Sequence, residues 1–151
     1  GLETVRTDWT PLAQQFQQTL YLRVFRNEPY QDYVRETIAS LMAGELDAQL
    51  VYRKRLRRPL AEYQRNVPPH VRAARLADEE NVRRGRAPQY QNRGTIKYVW
   101  TINGPEPVDY QHSPLDYEHY LTRQVQPVAD GILPFIDDDF ATLVTGQLGL
   151  F

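Results

Sequence analysis

Thirteen of the chain's 18 basic side chains fall between positions 51 and 97, where only 4 acidic ones accompany them, a local net charge of +9. Positions 1 to 50 carry 4 basic against 7 acidic residues, and positions 98 to 151 carry 1 against 8, so the whole chain nets only -1. The densest part is Arg53-Lys54-Arg55-Leu56-Arg57-Arg58, with five cations in six positions. Clustered guanidinium groups raise a field that phosphates neutralise with release of counterions, so the chemistry such a run performs is the binding of a polyanion, nucleic acid first. A solvated basic helix face would carry the same charges, and composition alone does not separate the two.

Other chemistries find weaker footing. His70, His112 and His119 lie far apart without ligand spacing, which argues against a zinc site. Asp137-Asp138-Asp139 reads as a solvated acidic end, because consecutive side chains point in different directions on any regular element. Neither a phosphate-cradling Gly-x-x-x-x-Gly-Lys, nor a dinucleotide glycine fingerprint, nor a nucleophile elbow is present. With no cysteine there is no disulfide framework, thiolate metal site or cysteine nucleophile, a composition that fits a reducing compartment. The reading is therefore a binding chain with no catalytic and no metal-ligating residues of its own.

The elements that must carry the basic run can be read from spacing. At 151 residues, with 41% hydrophobic and 25% charged residues, the chain suits one domain or two small lobes. Mean hydropathy is -0.62, and no apolar run approaches the roughly 18 residues of a membrane span. Thr10-Pro11 opens a helix with Leu12, Phe16, Leu20 and Val24 at a spacing of four. A second helix from Pro29 places Tyr30, Tyr33, Val34, Ile38, Leu41 and Met42 on one face and ends at Gly44. Leu50-Val51-Tyr52 suggests a short strand. Pro68-Pro69 starts a third helix with Val71, Ala74 and Ala77 inward and Arg72 and Arg75 outward. Asn81 to Asn92, with Gly85 and Pro88, reads as a mobile loop. Gly94 to Thr101 alternates as a strand, and Asn103-Gly104 turns it into a hairpin returning through Val108 to Tyr110. Pro114 to Val125 and Pro127 to Ile136 read as helices, while Thr142 to Phe151 is too glycine-rich for a stable helix end. The fold class expected is α+β, mainly helical, with a small β-hairpin region.

Several stretches, in order, resemble the carboxy-terminal part of family B DNA polymerases, the end of the palm followed by the thumb. Gly1-Leu2-Glu3-Thr4-Val5-Arg6-Thr7-Asp8-Trp9 is similar to the Gly-Leu-Glu-x-Val-Arg-Arg-Asp-Trp segment that follows the palm. Arg57-Arg58-Pro59-Leu60 with Glu62-Tyr63 resembles the Thr-Arg-x-Leu and Tyr element, and Pro69-His70-Val71 with Ala74-Arg75-Leu76 resembles the Pro-His-Val helix. Gly94-Thr95-Ile96-Lys97-Tyr98-Val99 and Tyr120-Leu121-Thr122-Arg123-Gln124-Val125-Gln126-Pro127 match the family's Gly-x-x-Ile-x-Tyr-Val strand and Tyr-x-x-x-Gln-x-x-Pro helix. Thr7 and Arg57 depart from the usual Arg and Thr; the first puts in doubt a salt bridge at that position, and the second adds to the basic patch.

The resemblance implies a polymerase thumb over 11–145, a palm junction over 1–10 and a terminal tail over 146–151. The opening residues, which lack an initiator Met, read as the middle of a longer chain. The family transfers a nucleotidyl group to a primer 3′ hydroxyl with two metal ions, Mg2+ expected, held by palm aspartates whose Tyr-Gly-Asp-Thr-Asp signature would lie upstream. The fragment itself is expected to be inactive. Partners implied are primer-template duplex, the sliding clamp and the rest of the polymerase chain, in the bacterial cytoplasm near the nucleoid and away from membranes. Arg53, Lys54, Arg55, Arg57, Arg58, Arg65, His70, Arg72 and Arg75 are the expected phosphate contacts, with Tyr63 either packed beneath them or touching the sugar-phosphate chain. Backbone contacts suit an enzyme that must hold any product. Gln147-Leu148-Gly149-Leu150-Phe151 resembles the Gln-Leu-x-Leu-Phe peptide of clamp-binding polymerases, with Gln147 for hydrogen bonds and Leu148, Leu150 and Phe151 as apolar anchors; packing of Phe151 into the chain's own core is the competing reading. A free-standing, non-catalytic DNA-binding module with a clamp peptide is the alternative, while RNA binding is disfavoured by the few aromatics in the basic block, Tyr52, Tyr63 and Tyr90, with Tyr98 next to its end.

Overall fold

Thr10 does what its position predicts. In the computed structural model, which describes residues 9 to 147, its hydroxyl accepts the Ala13 amide at 3.3 Å and caps α1, Pro11–Phe25. The Thr10 amide and hydroxyl in turn donate to Gln124 Oε1 at 2.8 and 2.9 Å. Leu12, Phe16 and Leu20 are buried along α1, as their spacing requires. The chain divides into two compact units, one made of 1–50 and 117–151, the other of 51–116.

The first unit is helical. α2, Gln31–Met42, buries Val34, Ile38 and Leu41 but leaves Met42 exposed, because Met42 sits where the helix ends and its stripe turns away. Gly44 follows with φ +78, and a Cβ there would come within 2.9 Å of the Tyr117 hydroxyl, so glycine is required twice over. The second helical stretch starts at Tyr117 rather than Pro114: α4, Tyr117–Tyr120, runs into a π-helical turn, Leu121–Val125, and then α5, Gln126–Ile132. Pro127 explains the wide turn, since a proline ring offers no N–H and clashes with the carbonyl four residues back. A 3-10 turn, Leu133–Ile136, ends at Asp137 with φ +56.

The acidic triplet is not simply solvated. Asp138 accepts the Tyr30 hydroxyl, and burial together with this carboxylate pushes the Tyr30 phenol up to about 12. Asp139 Oδ1 accepts the Thr142 amide at 2.7 Å and starts α6, Phe140–Gln147. That cap, with Phe140 and Leu143 buried, forms a helix where glycine content argued against one.

The second unit is a three-stranded antiparallel sheet in the order β1-β2-β3, with a helix packed on it chiefly through β3. β1 spans Tyr52–Leu56, so the strand contains the first three cations of the basic run, Arg53, Lys54 and Arg55, instead of preceding it. β2, Gly94–Thr101, and β3, Gly104–Pro107, form the expected hairpin, with Ile102-Asn103 as its loop. Thr101 Oγ1 donates to the Gly104 carbonyl at 2.8 Å and accepts the Asn103 amide at 3.1 Å. The returning strand stops at Pro107, and Val108–Tyr110 coils into a 3-10 turn. Pro105 and Pro107 have no N–H, so they fit only at edge positions facing away from β2.

α3, Pro69–Arg83, buries Val71, Ala74 and Ala77 as read from the sequence. It extends through residues expected in a loop, and the segment after it is tethered. Asp78, buried on α3, accepts the Gln89 amide at 2.6 Å, the Tyr90 amide at 2.9 Å and the Gln91 side chain at 2.7 Å. Polar composition predicted mobility; one buried carboxylate supplies fixed partners for the backbone amides instead. No helix among the described residues is long and apolar enough to cross a membrane.

Candidate nucleic-acid interface

Strand alternation sorts the basic run before any ligand is considered. Arg53 lies opposite Lys97 and Arg55 opposite Thr95 across β1 and β2, while Tyr52, Lys54 and Leu56 lie opposite Tyr98, Ile96 and Gly94. Successive side chains point to opposite faces. Tyr52, Leu56, Ile96 and Tyr98 therefore share a buried face, with the Tyr52 and Tyr98 rings stacked at 5.0 Å between centroids. Arg53, Arg55, Thr95 and Lys97 share the other, and all four are exposed.

None of Arg53, Arg55 and Lys97 forms an ion pair among the described residues. A carboxylate on their face, Glu106 opposite Val99, is committed elsewhere: it accepts the His112 amide at 2.7 Å, the Ser113 amide at 3.0 Å and the Thr101 hydroxyl at 3.2 Å. Burial alone would raise the Glu106 carboxyl, but these donors hold it below its ordinary value, so it stays charged and occupied. Like charges directly opposite on adjacent strands destabilise a sheet by a few tenths to about 1 kcal/mol. Arg53 and Lys97 keep that cost without an acidic partner in an ion pair among the described residues.

The remaining expected contacts separate. Lys54 points to the opposite face and is half-buried. Arg57, Arg58 and Arg65 are exposed in the segment between β1 and α3, and Arg58 lies over the Tyr63 ring at 4.5 Å. Arg72 is exposed on α3, its guanidinium beside Gly104 of the hairpin turn. Arg75 is turned back: one guanidinium nitrogen donates to the Leu60 and Tyr63 carbonyls at 2.8 and 2.6 Å, holding the connection to β1 against α3. An outward Arg on a helix face was the expectation, and two carbonyls without strand partners drew it inward.

His70 and Tyr63 are both buried, their rings edge-to-face at 6.3 Å. Burial first, and the nearby Lys54 ammonium second, lower the His70 imidazole from 6.5 to about 4. At neutral pH it is uncharged and brings no cation to a phosphate. The start of α3 is equally reticent, since Pro69 has no N–H and the Val71 and Arg72 amides both donate to the Pro68 carbonyl at 3.1 Å. A pH titration of the His70 ring by NMR should show no protonation until close to pH 4. Because the folded value lies below the unfolded one, stability is complete above about 6.5 and is lost as pH falls toward 4, by roughly 3 kcal/mol. His70→Gln should remove that acid-side loss, measured by denaturant unfolding at pH 7 and pH 4.5; titration near 6.5 would contradict the burial.

Lys97 is the residue that sequence reasoning left out of the site. Its place on the polar side of β2 was readable from alternation, but its partnership with Arg53 needed the register of a strand forty residues away. Leu148, Leu150 and Phe151 of the terminal peptide lie outside the described residues, and Gln147 closes α6. No group of acidic, His or Cys side chains suited to a metal occurs among the described residues.

No protein-family model matches the chain. Over its whole length it is 87% identical to DNA polymerase II of Escherichia coli (strain K12), of which it covers 19%. It is 32% identical to DNA polymerase 2 of Aeropyrum pernix, an alignment covering 89% of this chain and 17% of that protein. Among solved structures, the family B DNA polymerase of the hyperthermophilic archaeon Pyrobaculum calidifontis is similar with a TM-score of 0.65 and 28% identity, over 83% of this chain and 18% of that one. The chain thus spans less than a fifth of the length of each of these proteins.

Proposed function

We propose that this chain, which is a segment of the family B DNA polymerases, grips primer-template duplex by its phosphates through the exposed face of its sheet, as the thumb over 11–145 of a longer polymerase. The observation that carries the reading is the convergence of Arg53, Arg55 and Lys97 on one face, none of them in an ion pair among the described residues. Arg57, Arg58, Arg65 and Arg72 extend the charge from neighbouring loops and α3. Lys54, Tyr63, His70 and Arg75 support that surface from beneath: Tyr63 under Arg58, His70 under Tyr63, Arg75 fastening the loop between them.

Phosphate contacts of this kind supply affinity without reading bases, which suits a machine that must hold whatever sequence it has made. Nucleotidyl transfer belongs, in this reading, to palm aspartates with Mg2+ elsewhere in the full protein, and residues 1–10 form the junction toward them. Duplex DNA as ligand implies a cytoplasmic, nucleoid-associated place of work. The Gln147-Leu148-Gly149-Leu150-Phe151 peptide is proposed to dock on the sliding clamp, by its likeness to the Gln-Leu-x-Leu-Phe pattern; deletion of Gln147–Phe151 should abolish stimulation of synthesis by the clamp, and unchanged stimulation would refute it.

Salt dependence tests the grip. Each neutralised phosphate contributes a slope of about -0.9 in log affinity against log salt, so three sheet contacts alone require a slope near -3 or steeper. Fluorescence anisotropy with two duplexes of unrelated sequence should give the same steep line for both. A flat line, or strong preference for one sequence, would overturn the assignment.

A further inference from the structure

The second unit contains a cleft of about 870 Å³ bounded by the second half of α3, the 84–90 segment, β2 and the 3-10 turn after β3. Its floor is a sheet edge. Tyr98 pairs with Pro107 and Trp100 with Pro105, and a proline cannot donate, so the β2 residues whose backbone groups face β3 are Val99 and Thr101. The same parity turns the backbone N–H and C=O groups of Thr95 and Lys97 to that side. β3, however, ends at Pro107, and among the described residues no strand pairs with Gly94 to Lys97 on that side. Thr95 and Lys97 therefore present an unextended strand edge, and both line the cleft.

The walls select by charge. Arg84, Arg86 and Lys97 line the cleft against a single carboxylate, Asp109. Arg84 is engaged by Glu80 at 2.7 Å and lies over the Tyr110 ring, whereas Arg86 gives one nitrogen to the Tyr110 hydroxyl at 2.8 Å and keeps its other donors. Tyr110 is itself fixed by donating to Asn81 Oδ1 at 2.5 Å, and Tyr90 is tethered through Asp78. An open edge between two pinned tyrosines, with cations along the rim, matches an extended chain that offers alternating backbone donors and acceptors and carries negative side chains.

We propose that this cleft binds an acidic peptide segment of a partner protein, which adds to β2 as a strand at Thr95 and Lys97. The site shares Lys97 with the proposed duplex face but includes neither Arg53 nor Arg55; it rests on the strand edge, Arg84 and Arg86, so it stands whether or not the duplex reading holds.

The test uses the full-length polymerase and a fluorescent acetyl-Glu-Val-Glu-Val-Glu-amide probe, followed by anisotropy and by hydrogen exchange at the Thr95 and Lys97 amides. Saturable binding is expected, with slowed exchange at both amides. Binding should weaken at least tenfold when the probe is N-methylated along its pairing edge, and at least fivefold with Arg86→Glu. Unchanged exchange, equal binding of the N-methylated probe, equal binding of a Lys-Val analogue, or displacement of the probe by oligothymidylate but not by unlabelled peptide would each overturn it. Since Arg86 is exposed, its replacement leaves the fold intact, which a matching unfolding curve verifies.

Discussion

Replacing Arg53, Arg55 and Lys97 together by glutamine is expected to cut duplex affinity by on the order of 100- to 1000-fold near 0.1 M salt and to flatten the salt slope by about 3. Three side chains that meet on one sheet face can contact one run of phosphates, so their loss should act as a block. Lys54→Gln, one residue from two of them, is the informative control. It lies on the opposite face, so its effect on the slope should be well under one contact. It should instead raise the His70 titration, because the Lys54 ammonium is one of the two causes holding it down. The triple variant should also fold at least as well as the parent, since the opposed Arg53 and Lys97 repel one another. Equal losses from Lys54→Gln and from each member of the trio would mean that the +9 block acts as diffuse charge and that the sheet does not organise it.

Local signals carried much of this architecture. The Thr10-Pro11 cap, the stripe of Leu12, Phe16 and Leu20 and the inward row of Val71, Ala74 and Ala77 obey short-range rules, and each appears where spacing puts it. Long-range partners were not legible. Nothing adjacent to Asp78 announces that its carboxylate captures amides eleven to thirteen positions on, and nothing near Arg75 reveals two waiting carbonyls. The basic run is the instructive case. Read as a string, five cations in six positions look like one patch. Read as a strand, Arg53 and Arg55 part from Lys54, and a cation from a distant strand takes the vacant place beside them. The hairpin was expected to return through Val108 to Tyr110; that β3 stops at Pro107, and what this does to the edge of β2, follows only from the pairing of Tyr98 with Pro107.

Asp78→Ala should be the most destabilising single change in the second unit, by about 3 to 5 kcal/mol in urea unfolding of the full protein. The carboxylate is buried and no cation pairs with it among the described residues; its charge is balanced by N–H groups of Gln89, Tyr90, Gln91 and Asn81. Hydrogen bonds to a charged acceptor contribute roughly 1.5 to 3 kcal/mol each, without simple additivity, and their removal leaves the buried Tyr90 amide without its acceptor. Asp78→Asn keeps the shape but turns one acceptor into a donor facing other donors, so it should recover less than half of the loss. Exchange of the Gln89 and Tyr90 amides should accelerate in both variants, while that of Val71 on the buried side of α3 should not. At a temperature where Asp78→Ala remains folded, the salt slope for duplex should match the parent, because no sheet-face cation has been touched. A slope that fell with Asp78→Ala would place the 84–91 segment itself against the DNA.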